Sequence, residues 1–270
     1  MLSIAFGSFI LINKLMGYTS VTEMPGNKAS KENLEMLYSR YKWATQFAEG
    51  KDVLEVACGA GQGLGYLAKK AKKVVGGDID EKIVKCAQDY YKGRVEILRL
   101  DVHKLPFEEN SFDVVILFEA IYYLAQPEKF LAECQRVLRE NGLVLLCTVN
   151  KDWSGFNPSP FSFKYFSASE LVSLFKQHNF NIELFGAFLA SPSSIKDKII
   201  SIIRRTAVAL HLIPKTMKGK EKLKRIFFGK LLTIPSEIEE GMSDYSAPIP
   251  ISPISPSHHY KVLFVLAHKQ

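Results

Sequence analysis

Short apolar runs alternate with amphipathic segments between residues 52 and 149, at a spacing typical of strand–helix units. The apolar runs are predicted as buried strands at 52–57, 74–78, 95–100, 112–118 and 143–149. Apolar positions three and four residues apart predict helices at 31–48, 64–71, 81–91 and 127–138, the last one stopped by Asn141 and Gly142. This alternation predicts a doubly wound α/β domain, whose mostly parallel sheet is covered by helices on both faces.

The pattern changes after residue 150. A loop rich in Ser, Pro and Phe precedes a predicted helix at 168–179 and a strand at 181–188. Two amphipathic patterns follow, then a Pro/Ser stretch at 246–257 that is predicted to be irregular, and an apolar strand at 260–267. We therefore divide the chain into an N-terminal cap segment, 1–30, and one large domain, 31–270. That domain carries a helical insertion at 190–245, before its last strand.

The N-terminus contains an apolar run at 2–12. It has no basic residues before it, and it is shorter than the roughly 20 residues that a membrane-spanning helix needs. A packing or capping helix is the favoured interpretation of this run, and a weak membrane or signal element is the alternative.

The composition is that of a globular protein with a full core, since 47% of the 270 residues are hydrophobic and 23% are charged. The four cysteines are scattered, without a CxxC pair or a Cys/His ligand spacing. This favours reduced thiols in the cytoplasm, and it gives no support for a disulfide framework or a metal site.

The net charge of +7 comes from one segment. Residues 196–230 hold eleven Lys or Arg and two acids, a local charge of +9, so the rest of the chain carries −2. Three interpretations stay open: a solvated face, an amphipathic surface that contacts an anionic membrane or a lipid-linked substrate, and a nucleic-acid site. The last is least favoured, because the segment lacks interleaved aromatic residues. Nothing in the sequence indicates the oligomeric state.

A glycine-rich turn formed by Gly59, Gly61 and Gly63 follows the first predicted buried strand and opens a helix. Such glycines let the backbone turn tightly and let a ligand lie against main-chain atoms. The spacing lacks the last glycine of the dinucleotide fingerprint, so an NAD-dependent oxidoreductase is disfavoured. No Gly-Lys-Ser/Thr follows, which excludes an ATP-type phosphate loop.

Two acidic residues stand at the ends of the next two predicted strands. Asp78 lies where a carboxylate accepts both hydroxyls of a ribose in doubly wound nucleotide folds. Asp101 comes just past the following strand, where a side-chain oxygen can take the exocyclic amino group of an adenine. Because the carboxyl ends of parallel strands meet at one edge of the sheet, the sequence predicts a nucleoside pocket without phosphate-binding groups.

Taken together, these stretches resemble the class I S-adenosylmethionine-dependent methyltransferases, and within that class the small-molecule type 11 domains. The resemblance covers about residues 38–150 and rests on the runs 53–61, 74–80, 101–107, 111–115 and 130–143. It implies a seven-stranded Rossmann-like sheet with an antiparallel last strand, and S-adenosylmethionine as the cofactor.

The resemblance also implies roles for individual residues. The implied cofactor-binding residues are Glu55, Ala57, Gly59, Gly61, Gly63, Asp78, Ile79, Asp101, Val102 and Phe118. Many small-molecule relatives have a histidine pair after the fourth strand, where this chain has Tyr122 and Tyr123, so no catalytic residue is assigned. The candidates for the acceptor pocket are Tyr41, Glu119, Tyr122 and Tyr123.

We expect methyl transfer to an oxygen, nitrogen or carbon atom of a small molecule, such as a sugar, a lipid-linked compound or a quinone-type metabolite. The region after residue 150 contributes the acceptor side. The alternative is a regulatory protein or pseudoenzyme that binds the cofactor without transferring its methyl group.

Overall fold

A computed structural model describes residues 22–159, 161–190, 231–252 and 258–270. The strands are β1 Lys28–Ala29, β2 Asp52–Val56, β3 Lys73–Asp78, β4 Glu96–Arg99, β5 Phe112–Phe118, β6 Leu138–Val149, β7 Phe180–Leu189, β8 Leu232–Thr233, β9 Ile249–Pro250 and β10 Tyr260–Lys269. The α-helices are α1 Lys31–Ala48, α2 Leu64–Ala68, α3 Glu81–Tyr91, α4 Pro127–Val137 and α5 Ala168–Lys176, with a 3₁₀ turn at Ile121–Tyr123.

The main sheet has the strand order β4-β3-β2-β5-β6-β10-β7-β9. Strands β2 to β6 run parallel to one another, and β10 lies antiparallel between β6 and β7. The predicted doubly wound α/β fold, with seven main strands and an antiparallel last strand, is confirmed. An eighth strand, β9, adds two residues at one edge, inside the stretch that the sequence analysis predicted to be irregular.

The core fills both faces of the sheet, because successive side chains of a strand point to opposite sides. Along β2, Val53 packs into one hydrophobic cluster, whereas Leu54 and Val56 pack into the other. Helix α1 covers the first face, where the ring of Trp43 meets the edge of Phe264 at 5.2 Å between centroids. This arrangement leaves the carboxyl ends of the parallel strands as the place where loops meet.

The prediction that Asn141 and Gly142 stop α4 is wrong. The helix ends at Val137, one residue before its predicted end, and Leu138 already pairs with Phe112 as the first residue of β6. Asn141 has a left-handed backbone, with φ of 59°, inside a bulge of that strand. Pairing with β5 competes with continuation of the helix, and the left-handed residue serves the bulge instead of a helix cap. Helices α2 and α5 are also shorter than predicted, each by three residues.

Two segments discussed in the sequence analysis lie outside the described residues: the apolar run at 2–12 and the basic segment at 196–230. Of the predicted insertion at 190–245, the described part from 231 onwards holds β8 and irregular backbone. Strand β8 pairs with β1 in a separate two-stranded sheet. Ile234 extends this pairing through backbone hydrogen bonds with Gly26 and Asn27. Within the described ranges, no helix has the length and apolar character needed to cross a bilayer.

Helix α5 begins with a complete capping box. The Ser167 hydroxyl accepts from the Glu170 backbone N–H at 3.2 Å, and the Glu170 carboxylate accepts from the Ser167 N–H at 2.8 Å. We expect Ser167→Ala to lower the free energy of unfolding by about 1 kcal/mol, because a helix N–H loses its acceptor. Urea unfolding measures this effect.

The matched control for that measurement is Ser173→Ala in the same helix. The Ser173 hydroxyl only bonds back to the Ser169 carbonyl, so this change should leave stability the same or slightly higher. Equal losses in the two variants would contradict the capping argument.

Candidate functional site

Three of the predicted features meet at the carboxyl ends of neighbouring parallel strands. The N–H of Cys58, in the turn after β2, donates to the Gly77 carbonyl of β3 at 3.0 Å. The N–H of Leu100, just after β4, donates to the Asp78 carbonyl at 3.0 Å. The glycine turn, Asp78 and the segment that leads into Asp101 are therefore brought to one edge of the sheet, as the sequence predicts.

The glycine turn has a left-handed backbone at Ala57, Gly59 and Gly61, with φ of 51°, 58° and 79°. Residues other than glycine rarely adopt this backbone conformation, so the turn depends on its glycines. Tyr91 fixes the turn from α3, because its hydroxyl donates to the Gly61 carbonyl at 2.7 Å and accepts from the Gly65 N–H at 2.9 Å. The turn is thereby held rigidly against α3.

Gly63 is explained by packing alone. A Cβ at this position would lie 1.9 to 2.2 Å from ring atoms of Tyr41. The glycine thus makes room for an aromatic ring of α1 beneath the turn. Its contact with a cofactor stays a prediction.

Asp78 ends β3 as a buried residue, at 8% exposure. One carboxylate oxygen accepts from the Gly59 N–H and the other from the Asp80 N–H, each at 3.0 Å. Burial raises the pKa of Asp78, while these two backbone hydrogen bonds act in the opposite direction. The side chain therefore ties the glycine turn to the next helix, in addition to any contact with a ligand.

Glu55 lies in β2 directly below the turn and is buried. Its Oε1 accepts from the Tyr41 hydroxyl at 2.5 Å, whereas its Oε2 is buried without a hydrogen-bond partner in the described structure. Burial raises the pKa of Glu55 to about 7, although the Tyr41 hydrogen bond and the Arg40 charge lower it. A buried carboxylate oxygen without a donor is costly while the group is ionised, and the raised pKa of Glu55 reflects this cost.

The remaining residues predicted to contact adenine differ in exposure. Ile79 follows Asp78 and leaves 46% of its surface exposed, which is unusual for a large apolar side chain. Val102 is buried. The Asp101 carboxylate is exposed and bonds to His103, at 2.7 Å to Nδ1 and 2.9 Å to the backbone N–H.

The end of β5 carries the residues predicted for the acceptor side. The ring of Phe118 meets the edge of the Tyr41 ring at 5.4 Å between centroids. Glu119 is half-buried, and its carboxylate accepts from the Tyr122 hydroxyl at 3.1 Å and from the Cys147 thiol at 3.5 Å. Tyr123 packs against Tyr122, with ring centroids 4.6 Å apart.

Arg40 is a buried residue of this region to which the sequence analysis assigned no role. Its guanidinium donates to the Glu23 carboxylate at 2.6 Å. Burial opposes its charge, but the Glu23 carboxylate, Tyr41 and the Glu119 carboxylate together raise its pKa above the usual value. The spacing carried a signal, because Arg40 lies three residues after Leu37 and four before Ala44 on the buried face of α1.

The fold and these residues form an α/β domain with a buried carboxylate below its glycine turn. Residues 54–146 match the family model described as "Methyltransferase domain". Over these residues the chain is thus similar to the class I, S-adenosylmethionine-dependent methyltransferases, whose cofactor is S-adenosylmethionine.

Curated relatives agree with this assignment. A "Probable S-adenosylmethionine-dependent methyltransferase" from Mycolicibacterium smegmatis is 36% identical over 140 residues, which are 50% of this chain and 53% of that protein. A "Phthiotriol/phenolphthiotriol dimycocerosates methyltransferase" from Mycobacterium tuberculosis is 34% identical over 124 residues, 44% of this chain and 46% of that protein. The chain spans about half the length of these relatives.

Solved structures share the fold. The YcgJ protein from Bacillus subtilis superimposes with a TM-score of 0.56 at 16% identity, over 86% of this chain and 98% of that one. The [4+2]-cyclase SpnF gives the same TM-score at 18% identity, over 92% of this chain and 85% of that one. Because a cyclase is among these neighbours, the fold alone does not establish the reaction, and the site has to carry that argument.

Proposed function

We propose that this protein transfers the methyl group of S-adenosylmethionine to a small-molecule acceptor. The observation that carries the proposal is the buried Oε2 of Glu55, which lies below the glycine turn without a donor. The amino group of the cofactor's methionine part is cationic at neutral pH and is the kind of partner that this oxygen lacks. The cofactor has no phosphate, which agrees with the absence of a phosphate loop in the sequence.

The other parts of the cofactor also find suitable residues at this edge of the sheet. The Asp78 carboxylate retains lone pairs for ribose hydroxyls beyond its two backbone bonds, since a carboxylate offers about four acceptor positions. The exposed side chain of Ile79 offers an apolar surface for a flat ring. The exposed Asp101 carboxylate can accept from an exocyclic amino group, with Val102 beside it.

The chain's own residues have a limited chemical task in this reaction. The cofactor supplies an activated methyl group, so the protein must mainly align two reactants and exclude water. The rigid glycine turn and the buried Tyr41–Glu55 pair fix the cofactor end. Phe118 and the Glu119–Tyr122 pair border the place where the acceptor enters.

Calorimetry with S-adenosylhomocysteine, the demethylated product, tests cofactor binding. We expect saturable binding, and no binding at millimolar concentration by a folded protein would reject the proposal. A second assay, with S-adenosylmethionine carrying a labelled methyl group and a cell extract, separates an enzyme from a cofactor-binding regulator. Only an enzyme produces a labelled small molecule.

The acceptor class is proposed to be lipid-like or otherwise apolar. One of the curated relatives is named for methylation of a lipid, and aromatic rings of Tyr122 and Tyr165 stack beside Glu119. The basic segment at 196–230 would then bring the protein, from the cytoplasm, to an anionic membrane surface. Flotation with phosphatidylglycerol vesicles at low salt should recover the protein. Phosphatidylcholine vesicles are the control, and equal recovery would contradict this part of the proposal.

A further inference from the structure

Glu119 directly follows β5 and shares an unusual backbone conformation with Ala57, which follows β2. The backbone of Glu119 has φ of 52°, in the left-handed region that non-glycine residues rarely adopt. Its N–H donates to the Cys147 carbonyl at 2.8 Å, so pairing with β6 holds this conformation. Backbone strain of this kind is concentrated at functional sites. The strained turn places a half-buried carboxylate at the end of β5, next to the strand that leads into the glycine turn.

The groups around the Glu119 carboxylate keep it fixed and able to accept a proton. Tyr122 and Cys147 each donate a hydrogen bond to it, one to each oxygen. The Arg40 guanidinium favours its ionised form, whereas burial and the nearby Glu23 carboxylate favour its protonated form. A carboxylate with two donors still has unused lone pairs, so it can take a third hydrogen bond from an incoming ligand.

Arg40 also relates this carboxylate to the cofactor end of the site. Its positive charge lowers the pKa of both Glu55 and Glu119, so the guanidinium lies near both groups. The Tyr41 ring, which holds Glu55, touches the ring of Phe118, the residue before Glu119. Glu119 is therefore adjacent to the pocket proposed for the methionine part of the cofactor.

Aromatic rings line the other side of Glu119. Tyr122 and Tyr165 stack with centroids 4.5 Å apart and an interplanar angle of 22°. Phe156 meets the edge of Tyr165 at 4.7 Å. The loop that carries these rings is tied to the 3₁₀ turn by the Phe163 N–H, which donates to the Tyr122 carbonyl at 2.8 Å. This wall suits the apolar or aromatic body of a ligand whose polar end reaches the carboxylate.

We propose that Glu119 is the general base of the transfer, and that the acceptor is a neutral hydroxyl compound with an apolar or aromatic body; this rests on the proposed function. The hydroxyl proton moves to the Glu119 carboxylate. The acceptor oxygen forms a bond to the methyl carbon as the sulfur–methyl bond breaks, and the bonding electron pair stays on the sulfur. The sulfonium loses its positive charge, and the carboxylate loses its negative charge by taking the proton. That proton later passes to solvent.

Two surrogate acceptors with the same apolar chain and phenol ring test this role. The hydroxyl of 4-butylphenol has a pKa of about 10 and is neutral at about pH 8.5, whereas 4-butyl-2-nitrophenol is ionised there and needs no base. We expect Glu119→Gln to slow methylation of 4-butylphenol by about 100-fold or more, and that of the nitrophenol by less than about threefold. Glu109→Gln, at an exposed carboxylate, is the control that should slow neither reaction.

Binding of 4-butylphenol to the cofactor-free protein, measured by calorimetry, gives a readout independent of turnover. Tyr165→Ala should raise this Kd about tenfold, since an aromatic contact is lost. Unfolding curves show whether each variant is folded, and Tyr165→Phe should restore binding.

Three results would overturn the proposal. Glu119→Gln could slow the methylation of both surrogates equally, or a wild-type protein that binds S-adenosylhomocysteine could methylate neither surrogate. The third result is a folded Tyr165→Ala variant whose Kd for 4-butylphenol is unchanged. Failure to bind S-adenosylhomocysteine at all would instead contradict the proposed function itself.

Discussion

Replacing Asp78 by alanine should weaken the binding of S-adenosylhomocysteine by about 30- to 150-fold. Hydrogen bonds to a charged group contribute about 1.5–3 kcal/mol each, and we expect a net loss of about 2–3 kcal/mol once water replaces part of the interaction. The carboxylate also accepts from the Gly59 N–H, so the variant loosens the glycine turn as well. Both effects act in the same direction, and calorimetry measures their sum.

The neighbouring residue provides a matched control. The Asp80 carboxylate caps α3 by accepting from the N–H groups of Lys82 and Ile83. Asp80→Ala should therefore cost about 1 kcal/mol of stability, and it should leave cofactor affinity within about threefold. An Asp78→Ala variant that binds as tightly as the wild type would show that the ribose is held elsewhere.

The sheet could be predicted because buried parallel strands read as continuous apolar runs. The bounds of β5 and α3 agree with the prediction residue by residue, and β2 and β3 differ by one. Local patterns were less informative where two kinds of structure compete for the same residues. Asn141 and Gly142 are typical of a helix end, yet pairing of Leu138 with Phe112 extends the strand through them.

The residues predicted for the cofactor half lie in strands or shortly after them, so the fold alone brings them together. The acceptor half depends on contacts between distant parts of the chain, which no local pattern reveals. Arg40 reaches Glu23 and approaches Glu119 from α1, a separate helix. A single buried arginine on an apolar helix face was the available signal.

The contacts of residues 234–246 with the glycine turn and α1 are also ones that no local sequence pattern reveals. Ile238 donates its N–H to the Gln62 carbonyl in the glycine turn at 2.8 Å, although the two lie far apart in sequence. The Glu240 carboxylate accepts from Tyr38 and Lys42 of α1 and from Tyr66 of α2. This segment thus holds the turn against α1, so the proposed cofactor site depends on residues that follow most of the sheet in sequence.

The pH dependence of cofactor binding should report directly on Glu55. In the free protein the pKa of this carboxyl is about 7, because burial favours the protonated form. Pairing with a cationic amino group lowers the pKa in the complex, so binding below pH 7 must release a proton. We expect the Kd for S-adenosylhomocysteine to be constant just above pH 7, and to rise about tenfold for each pH unit below it.

Calorimetry between about pH 5.5 and 7.5, in buffers of different ionisation enthalpy, measures both the Kd and the number of protons released. The cofactor's amino group stays charged over most of this range. Glu55→Gln should bind more weakly at the upper end of the range and should abolish most of the slope, whereas Glu49→Gln, at an exposed position, should retain it. A slope that persists in Glu55→Gln would assign the proton to Asp78, whose pKa burial also raises. A flat wild-type profile would mean that no ammonium group binds at Glu55. The orphaned carboxylate oxygen would then need a different partner, and the argument for this cofactor would lose its main support.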